Sequence, residues 1–253
     1  MNETAAQDVA LMIHINDLRL VDNRPLVEAY RHEKVVSVLF IDPKRFHETA
    51  FGIPRYSARR ISWYLDAVRD LRRSYRARGS ELLVRVGNTV SELQGLVAHL
   101  RPAAVYGQQA KTEDESRLLR RIEISLQGTP CRWLGNDVLV APEDWPVSPR
   151  SFPRSFSGFR KKFEARCSIS RPLDIPSLCP PPMIAAGEIP ELKALGFTHL
   201  AVDSRSPVSS LEGGESGAWR QLNAYFWRED RLRHYKRTRN GMTNWGDSSK
   251  LSP

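Results

Sequence analysis

Among the residues that can do chemistry, one local run has a clear direction: Ser248-Ser249-Lys250-Leu251-Ser252-Pro253. Serine hydroxyls and backbone N–H groups gathered at a helix start make a site for phosphate oxygens, and Lys250 adds positive charge. Alone this is a weak signal, because serine-rich tails are common. Glu113, Asp114 and Glu115 form an acidic cluster opening a helical pattern, and their first duty there is to stabilise the helix dipole. His14, His32, His47, His99, His199 and His234 are scattered, with no H-x-x-x-H pair and no nucleophile elbow. His14 falls inside an apolar run and reads as a satisfied buried histidine rather than a base. Cys131, Cys167 and Cys179 lie far apart without metal-ligand spacing. No metal site is expected, and free thiols suit a reducing, cytoplasmic setting.

The first apolar run is followed by Asn16-Asp17-Leu18-Arg19-Leu20, where a dinucleotide fingerprint would need G-x-G-x-x-G. Walker-type glycine loops are absent too, which disfavours ordinary NAD or ATP chemistry. No apolar run approaches membrane-spanning length, so no membrane partner is expected.

The net charge of +9 is unevenly placed. Ser57–Gly79 carries net +5, Arg150–Arg171 net +6 and Arg228–Arg239 net +4, which leaves −6 for the remainder. Clustered positive charge suits a polyanion such as nucleic acid. Arginines that merely solvate helix faces are the alternative for any one window.

These groups must be positioned by the elements around them. Short β-branched runs at Val9–Ile15, Val35–Ile41, Glu81–Val86 and Ala103–Tyr106 read as strands of a parallel sheet covered on both faces. A fifth, weaker strand is expected around Asp137–Val140. Between them, Ser57–Gly79, Asn88–Arg101 and Thr112–Leu126 read as helices. Gly79 is a stop for the first, and Thr112 with Glu115 resembles a capping box. Strand–helix alternation gives an α/β fold: a doubly wound, mostly parallel five-stranded sheet with right-handed crossovers. A basic helix follows at Phe156–Cys167. Pro172–Pro190 reads as an extended, proline-rich connector over the surface. Glu215–Arg228 is helical, with Trp219, Leu222 and Phe226 on one face. The expected division is an α/β domain over 1–141, a basic helix and linker over 142–212, and a helical unit over 213–253.

The ordered set of short motifs resembles the photolyase/cryptochrome family. It begins at Asn16-Asp17-Leu18-Arg19-Leu20, Asp22-Asn23 and Leu26, and continues through Phe51-Gly52-Ile53-Pro54, Arg69-Asp70-Leu71-Arg72 and Gly79–Gly87. Phe159-Arg160-Lys161-Lys162, Gly213-Gly214-Glu215, Tyr235-Lys236, Thr238-Arg239-Asn240-Gly241 and Ser248–Pro253 resemble the cryptochrome DASH branch in particular. The resemblance spans essentially the whole chain. It implies a Rossmann-like N-terminal domain that holds a folate-type antenna, followed by a helical FAD-binding domain. The implied activity is light-driven electron transfer from reduced FAD to a cyclobutane pyrimidine dimer, or blue-light signalling. The implied partner of a monomeric protein is DNA, preferentially single-stranded, where a lesion leaves the base stack at less cost.

Carried over by position, Ser248, Ser249, Leu251 and Ser252 contact the FAD diphosphate, with Lys250 the variable basic member of that turn. Tyr235 lines the flavin pocket or serves as a core aromatic, Arg239 contacts DNA phosphate, and Asp114 or Glu115 contacts the antenna. Most of the flavin pocket lies, in the family, beyond the position of Pro253. The chain alone is therefore expected to bind flavin poorly and to repair no DNA, as the front portion of such an enzyme. The other reading is a stand-alone α/β module that binds a folate-like or nucleotide ligand, a partner protein or nucleic acid. The sequence also departs from the family. Ile13-His14-Ile15 replaces Trp-Phe-Arg, and Asp247 replaces a tyrosine beside the phosphate serines, where a carboxylate repels a diphosphate. Glu212 and Arg237 invert charges, and they compensate one another only if their side chains meet.

Overall fold

The structure is a computed structural model that describes residues 8–47, 49–50, 53–135, 138–140, 144–180, 183–198 and 212–238. Strand β1 (Val9–His14) is buried at every residue, as a strand roofed by helices on both faces must be. It lies at the centre of a five-stranded sheet of order β5-β2-β1-β6-β7, built from β2 (Lys34–Ile41), β5 (Leu82–Val86), β6 (Ala104–Gln108) and β7 (Cys131–Leu134). Every pairing in it is parallel, with Leu11 opposite Val36 on one side and Val105 on the other. A two-residue antiparallel hairpin, β3 (Thr49–Ala50) with β4 (Ile53–Pro54), stands apart.

Period-two alternation sorts the side chains of β1 between two cores. Ala10 and Met12 join helices α1 (Arg24–Ala29), α2 (Pro43–His47) and α3 (Ala58–Arg76), where Leu26, Phe46, Leu65 and Tyr75 pack. Val9, Leu11 and Ile13 face α4 (Thr89–Leu100) and α5 (Glu113–Ser125) through Leu93, Leu119 and Ile122. Local chemistry sets the helix ends. Ser57 and Asn88 cap α3 and α4 with their side chains, and Thr112 with Glu115 closes a reciprocal capping box on α5. After α3 the chain leaves the helix through Gly79 at φ +75°, a conformation glycine takes at no steric cost.

The fifth strand corrects one expectation. It lies at Cys131–Leu134, whereas 138–140 form bends outside the sheet, and Asp137 lies outside the described residues. Val138-Leu139-Val140 has the stronger β propensity, yet propensity decides only whether a segment fits a pleated surface. The short connection from α5 through Pro130 delivers Cys131 to the open edge of β6 first, opposite Val105.

The described residues of the proline-rich connector form no helix or strand, and they do more than cross the surface. The amide of Val84 donates to the carbonyl of Ala186 at 2.8 Å, which covers an edge of β5 that would otherwise present unpaired backbone. Arg72 donates through Nη2 to the carbonyls of Ala186 and Gly187, at 2.9 and 2.8 Å, and through Nε to Glu81 at 2.8 Å. Most arginines of the first basic window are thus spent on the fold: Arg69 pairs with Asp66, Arg73 with Asp70, and Arg72 and Arg76 with Glu81.

The last described part holds α7 (Glu215–Asn223), a wider π-helical turn over Ala224–Arg228, and α8 (Tyr235–Thr238). Its buried aromatic is Tyr225, whereas Trp219 of the expected apolar face is exposed. The α-helical period breaks at the π turn, so an even 3.6-residue repeat does not carry through to Phe226.

His14 is buried and satisfied. Its Nδ1 lies 2.9 Å from the carbonyl of Asp17, and its Nε2 lies 2.8 Å from the hydroxyl of Tyr75. A carbonyl only accepts, so Nδ1 carries the proton and Nε2 accepts from Tyr75. Burial pushes the Tyr75 hydroxyl well above its ordinary pKa and keeps it a donor. Tyr75→Phe removes that donor and strands a buried nitrogen. It is expected to cost about 1–2 kcal/mol in urea unfolding with the fold retained; an unmoved midpoint would mean that His14 finds another partner.

Candidate functional site

In an open α/β sheet, ligands bind outside the carboxyl ends of the strands, near the point where strand order reverses. Here the reversal lies between β1 and β6. That point is plugged. Asn16 donates through Nδ2 to Glu115 at 2.5 Å, and the space left among Ile15, Asn16, Gln108 and Leu119 is only about 10 Å³.

The open cleft is displaced toward β2 and has a volume of about 150 Å³. It is lined by Asp42, directly after β2, by Asn88 and Thr89 at the start of α4, by Arg45 and Arg55, and by Asp114, Arg117 and Arg121 of α5. Asp42 accepts from the Lys44 amide at 3.1 Å and the Thr89 amide at 3.4 Å. Asp114 is ion-paired with Arg55, and Arg117 with Glu113. Arg45 and Arg121 make no ion pair among the described residues. The hydroxyl Oγ1 of Thr89 is buried and has no hydrogen-bond partner among the described residues, although buried polar groups are normally satisfied. The cleft thus gathers two carboxylates, a hydroxyl and several guanidinium groups. That arrangement suits a flat ring bearing N–H donors and an anionic tail.

A larger groove, about 360 Å³ along Glu212, Gly217, Arg220 and Arg228, is less suited to chemistry, since Glu212 and Arg220 pair across it. The same pair bears on the two inverted charges. Glu212 turns to Arg220 while Arg237 turns to His234 at 2.7 Å, so the two do not compensate one another. Cys131 offers no thiolate, because burial and then the charge of Glu123 push its thiol up to about 11.

The Gly213-Gly214-Glu215 motif has a mechanical role. The carboxylate of Glu215 accepts from the amides of Leu20 at 2.9 Å and Val21 at 3.2 Å, joining the start of α7 to the Asn16–Leu20 motif. Asp70 accepts from the Ser216 amide at 2.9 Å. Gly213 lies so close to α3 that a Cβ would stand 2.2 Å from the carbonyl oxygen of Trp63.

Of the residues expected at a site, Asp114 lines the cleft and Glu115 does not. The carboxylate of Glu115 is committed to Asn16 and to the amides of Lys111 and Thr112, at 2.7 and 3.0 Å from the latter two. Tyr235 opens α8 and is 41% exposed. Ser248, Ser249, Lys250, Leu251, Ser252 and Arg239 lie outside the described residues. Sequence reasoning missed Asp42, Arg45, Thr89, Arg117 and Arg121. Asp42 and Thr89 were open to discovery, since each follows the carboxyl end of a recognised parallel strand.

A sequence model of the DNA photolyase family matches residues 10–181. The cryptochrome DASH of Gloeobacter violaceus is 37% identical over 96% of this chain and 49% of its own length. That of Natronomonas pharaonis is 34% identical over 97% of this chain and 52% of its own. The crystal structure of a Synechocystis cryptochrome superposes with a TM-score of 0.87 at 31% identity, covering 96% of this chain and 51% of that one. The chain therefore spans about half the length of the curated relatives it matches. Both the ordered motifs and the layered fold that carries them are accounted for in one way: the chain belongs to the photolyase/cryptochrome family and is similar to its cryptochrome DASH members.

Proposed function

We propose that this chain is the antenna-holding portion of a cryptochrome DASH-like flavoprotein that acts on DNA. The observation that carries the antenna assignment is the buried, unpartnered hydroxyl of Thr89, a residue that lines the same cleft as four arginines. Asp42 and Thr89 would read the ring edge of a folate-type or flavin chromophore, and Arg117 and Arg121 would hold its acidic tail. Such a chromophore supplies light absorption. Asp114 sets the position of Arg55 by ion pairing.

The division proposed is an α/β unit over 1–141, a connector over 142–212, and a helical unit from 213 onward. Glu215 links the outer two by gripping Leu20 and Val21. In that helical unit, Tyr235 would contact FAD through an accessible ring, and Ser248, Ser249, Lys250, Leu251 and Ser252 would hold its diphosphate. When bound, FAD supplies the light-driven electron that splits a cyclobutane pyrimidine dimer. Arg239 would meet the phosphate of the damaged strand.

The test is a fluorescence titration of the purified chain with a reduced folate and, separately, with flavin mononucleotide. One of them is expected to bind saturably. Replacing Arg117 and Arg121 by Gln should weaken it roughly 10- to 100-fold, the worth of one or two charged hydrogen bonds, and Thr89→Val should weaken it further. Saturable binding that ignores all three substitutions would place the chromophore elsewhere.

A further inference from the structure

The three basic windows diverge once folded. Most arginines of α3 are spent on Asp66, Asp70 and Glu81. In the last window Arg228 and Arg231 turn to Glu229, Arg233 to Asp230 and Arg237 to His234. The middle window is different. Helix α6 (Phe156–Arg166) buries no residue, and among the described residues its charges make one ion pair, Arg160 with Glu164 at 3.5 Å. Arg150, Arg154, Lys161, Lys162 and Arg166 remain exposed and unpaired there.

An aromatic stack fixes this helix to the turn before it. Phe152 lies on Phe159 with centroids 4.9 Å apart and planes 18° apart, and Phe159 also meets Trp145 at 5.9 Å and Phe163 at 5.5 Å. One ring stays out of the stack. Phe156 is 75% exposed on the first turn of α6, with Arg154 just before it and Arg160 one turn on. A bare aromatic ring within a field of unspent cations matches the two requirements of single-strand binding: a platform for an unpaired base and donors for the flanking phosphates. A duplex offers no free base face, and an acidic peptide has no use for the ring.

We propose that α6 and the turn before it form a docking surface for single-stranded nucleic acid. A base stacks on Phe156 while Arg154, Lys161 and Lys162 meet phosphates. The surface deepens the DNA-acting function proposed above but needs neither chromophore nor lesion. Its test therefore uses undamaged strands in the dark. Fluorescence anisotropy of the full chain would be measured with a labelled oligothymidylate of about a dozen nucleotides, with the matching duplex, and with polyglutamate.

Phe156→Ala should weaken single-strand binding roughly 5- to 100-fold and leave the salt dependence intact. Replacing Lys161 and Lys162 by Gln should lower the slope of log affinity against log salt by about 1.4. Both variants change exposed side chains, so circular dichroism should match that of the parent. An unaffected Phe156→Ala, a duplex bound more tightly than the single strand, or polyglutamate bound as tightly would overturn the proposal. If the parent chain binds the strand and both variants bind it equally well, α6 is excluded while the DNA-acting function stands.

Discussion

Gly213→Ala is expected to release residues 212–238 from the α/β layer while leaving the sheet folded. The added methyl would stand 2.2 Å from the carbonyl oxygen of Trp63 and 3.1 Å from the amide nitrogen of Ala67. Both are backbone atoms of α3, and a helix cannot yield there without breaking its own hydrogen bonds. Forcing a methyl into such a space costs about 3 kcal/mol or more. The polar attachment it opposes is three hydrogen bonds, the two amides held by Glu215 and the Ser216 amide held by Asp70. Detachment is then cheaper than strain.

Hydrogen exchange reads this directly. The amides of Leu20, Val21 and Ser216 should lose protection roughly 100-fold, about 2.7 kcal/mol, while the β1 amides hold theirs. Glu215→Ala should show the same pattern more weakly, since it removes acceptors without adding a clash. Unchanged protection at Leu20 and Val21 in both variants would falsify the docking role of the motif.

Arg72→Met is expected to lower stability by about 3 kcal/mol, a fall of roughly 6–12 °C in melting temperature. The guanidinium ties α3 to Glu81 and to the connector carbonyls of Ala186 and Gly187. Methionine keeps most of the volume but leaves two carbonyls and one carboxylate oxygen without that donor.

The effect should depend on pH. Burial raises the Glu81 carboxyl, but hydrogen bonds and charge from Arg72 and Arg76 outweigh it, and the group sits below its ordinary value. A carboxyl held lower in the folded chain than in the unfolded one contributes stability that is complete above the unfolded value, about 4.3. That contribution disappears as pH falls through the lower, folded value. The gap between parent and Arg72→Met should therefore be widest at neutral pH and shrink toward about pH 3. A gap of equal size at both would show that packing, rather than the ion pair, carries the contribution of Arg72.

Several features of the fold were open to reading in the chain itself. β1, β2, β5 and β6 were found within a residue or two because a doubly covered parallel strand must be a short apolar run, and nothing else in a polar chain looks the same. The helix ends at Ser57, Asn88, Thr112 and Gly79 were legible for a similar reason, since a cap acts on backbone groups within four residues. β7 was misplaced because an edge strand is chosen by which segment reaches the free edge first, which is a matter of connection geometry. The motif set identified the family, yet it gave no physical account of Gly213-Gly214-Glu215, whose partners Trp63, Asp70, Leu20 and Val21 are about 145 to 195 positions away.

The division follows the range of the forces involved. Periodicity, capping and turn chemistry act between neighbours, so the amino-acid order alone determined the layered α/β class and the buried state of His14. Charge acts through space, and the three basic windows look alike in one dimension. Only the tertiary structure decided which arginines are spent on the fold, and which stand unspent around Phe156 on α6. It also brought the ends of β2 and β5 to one cleft, because parallel strands align their carboxyl ends however far apart they lie in sequence.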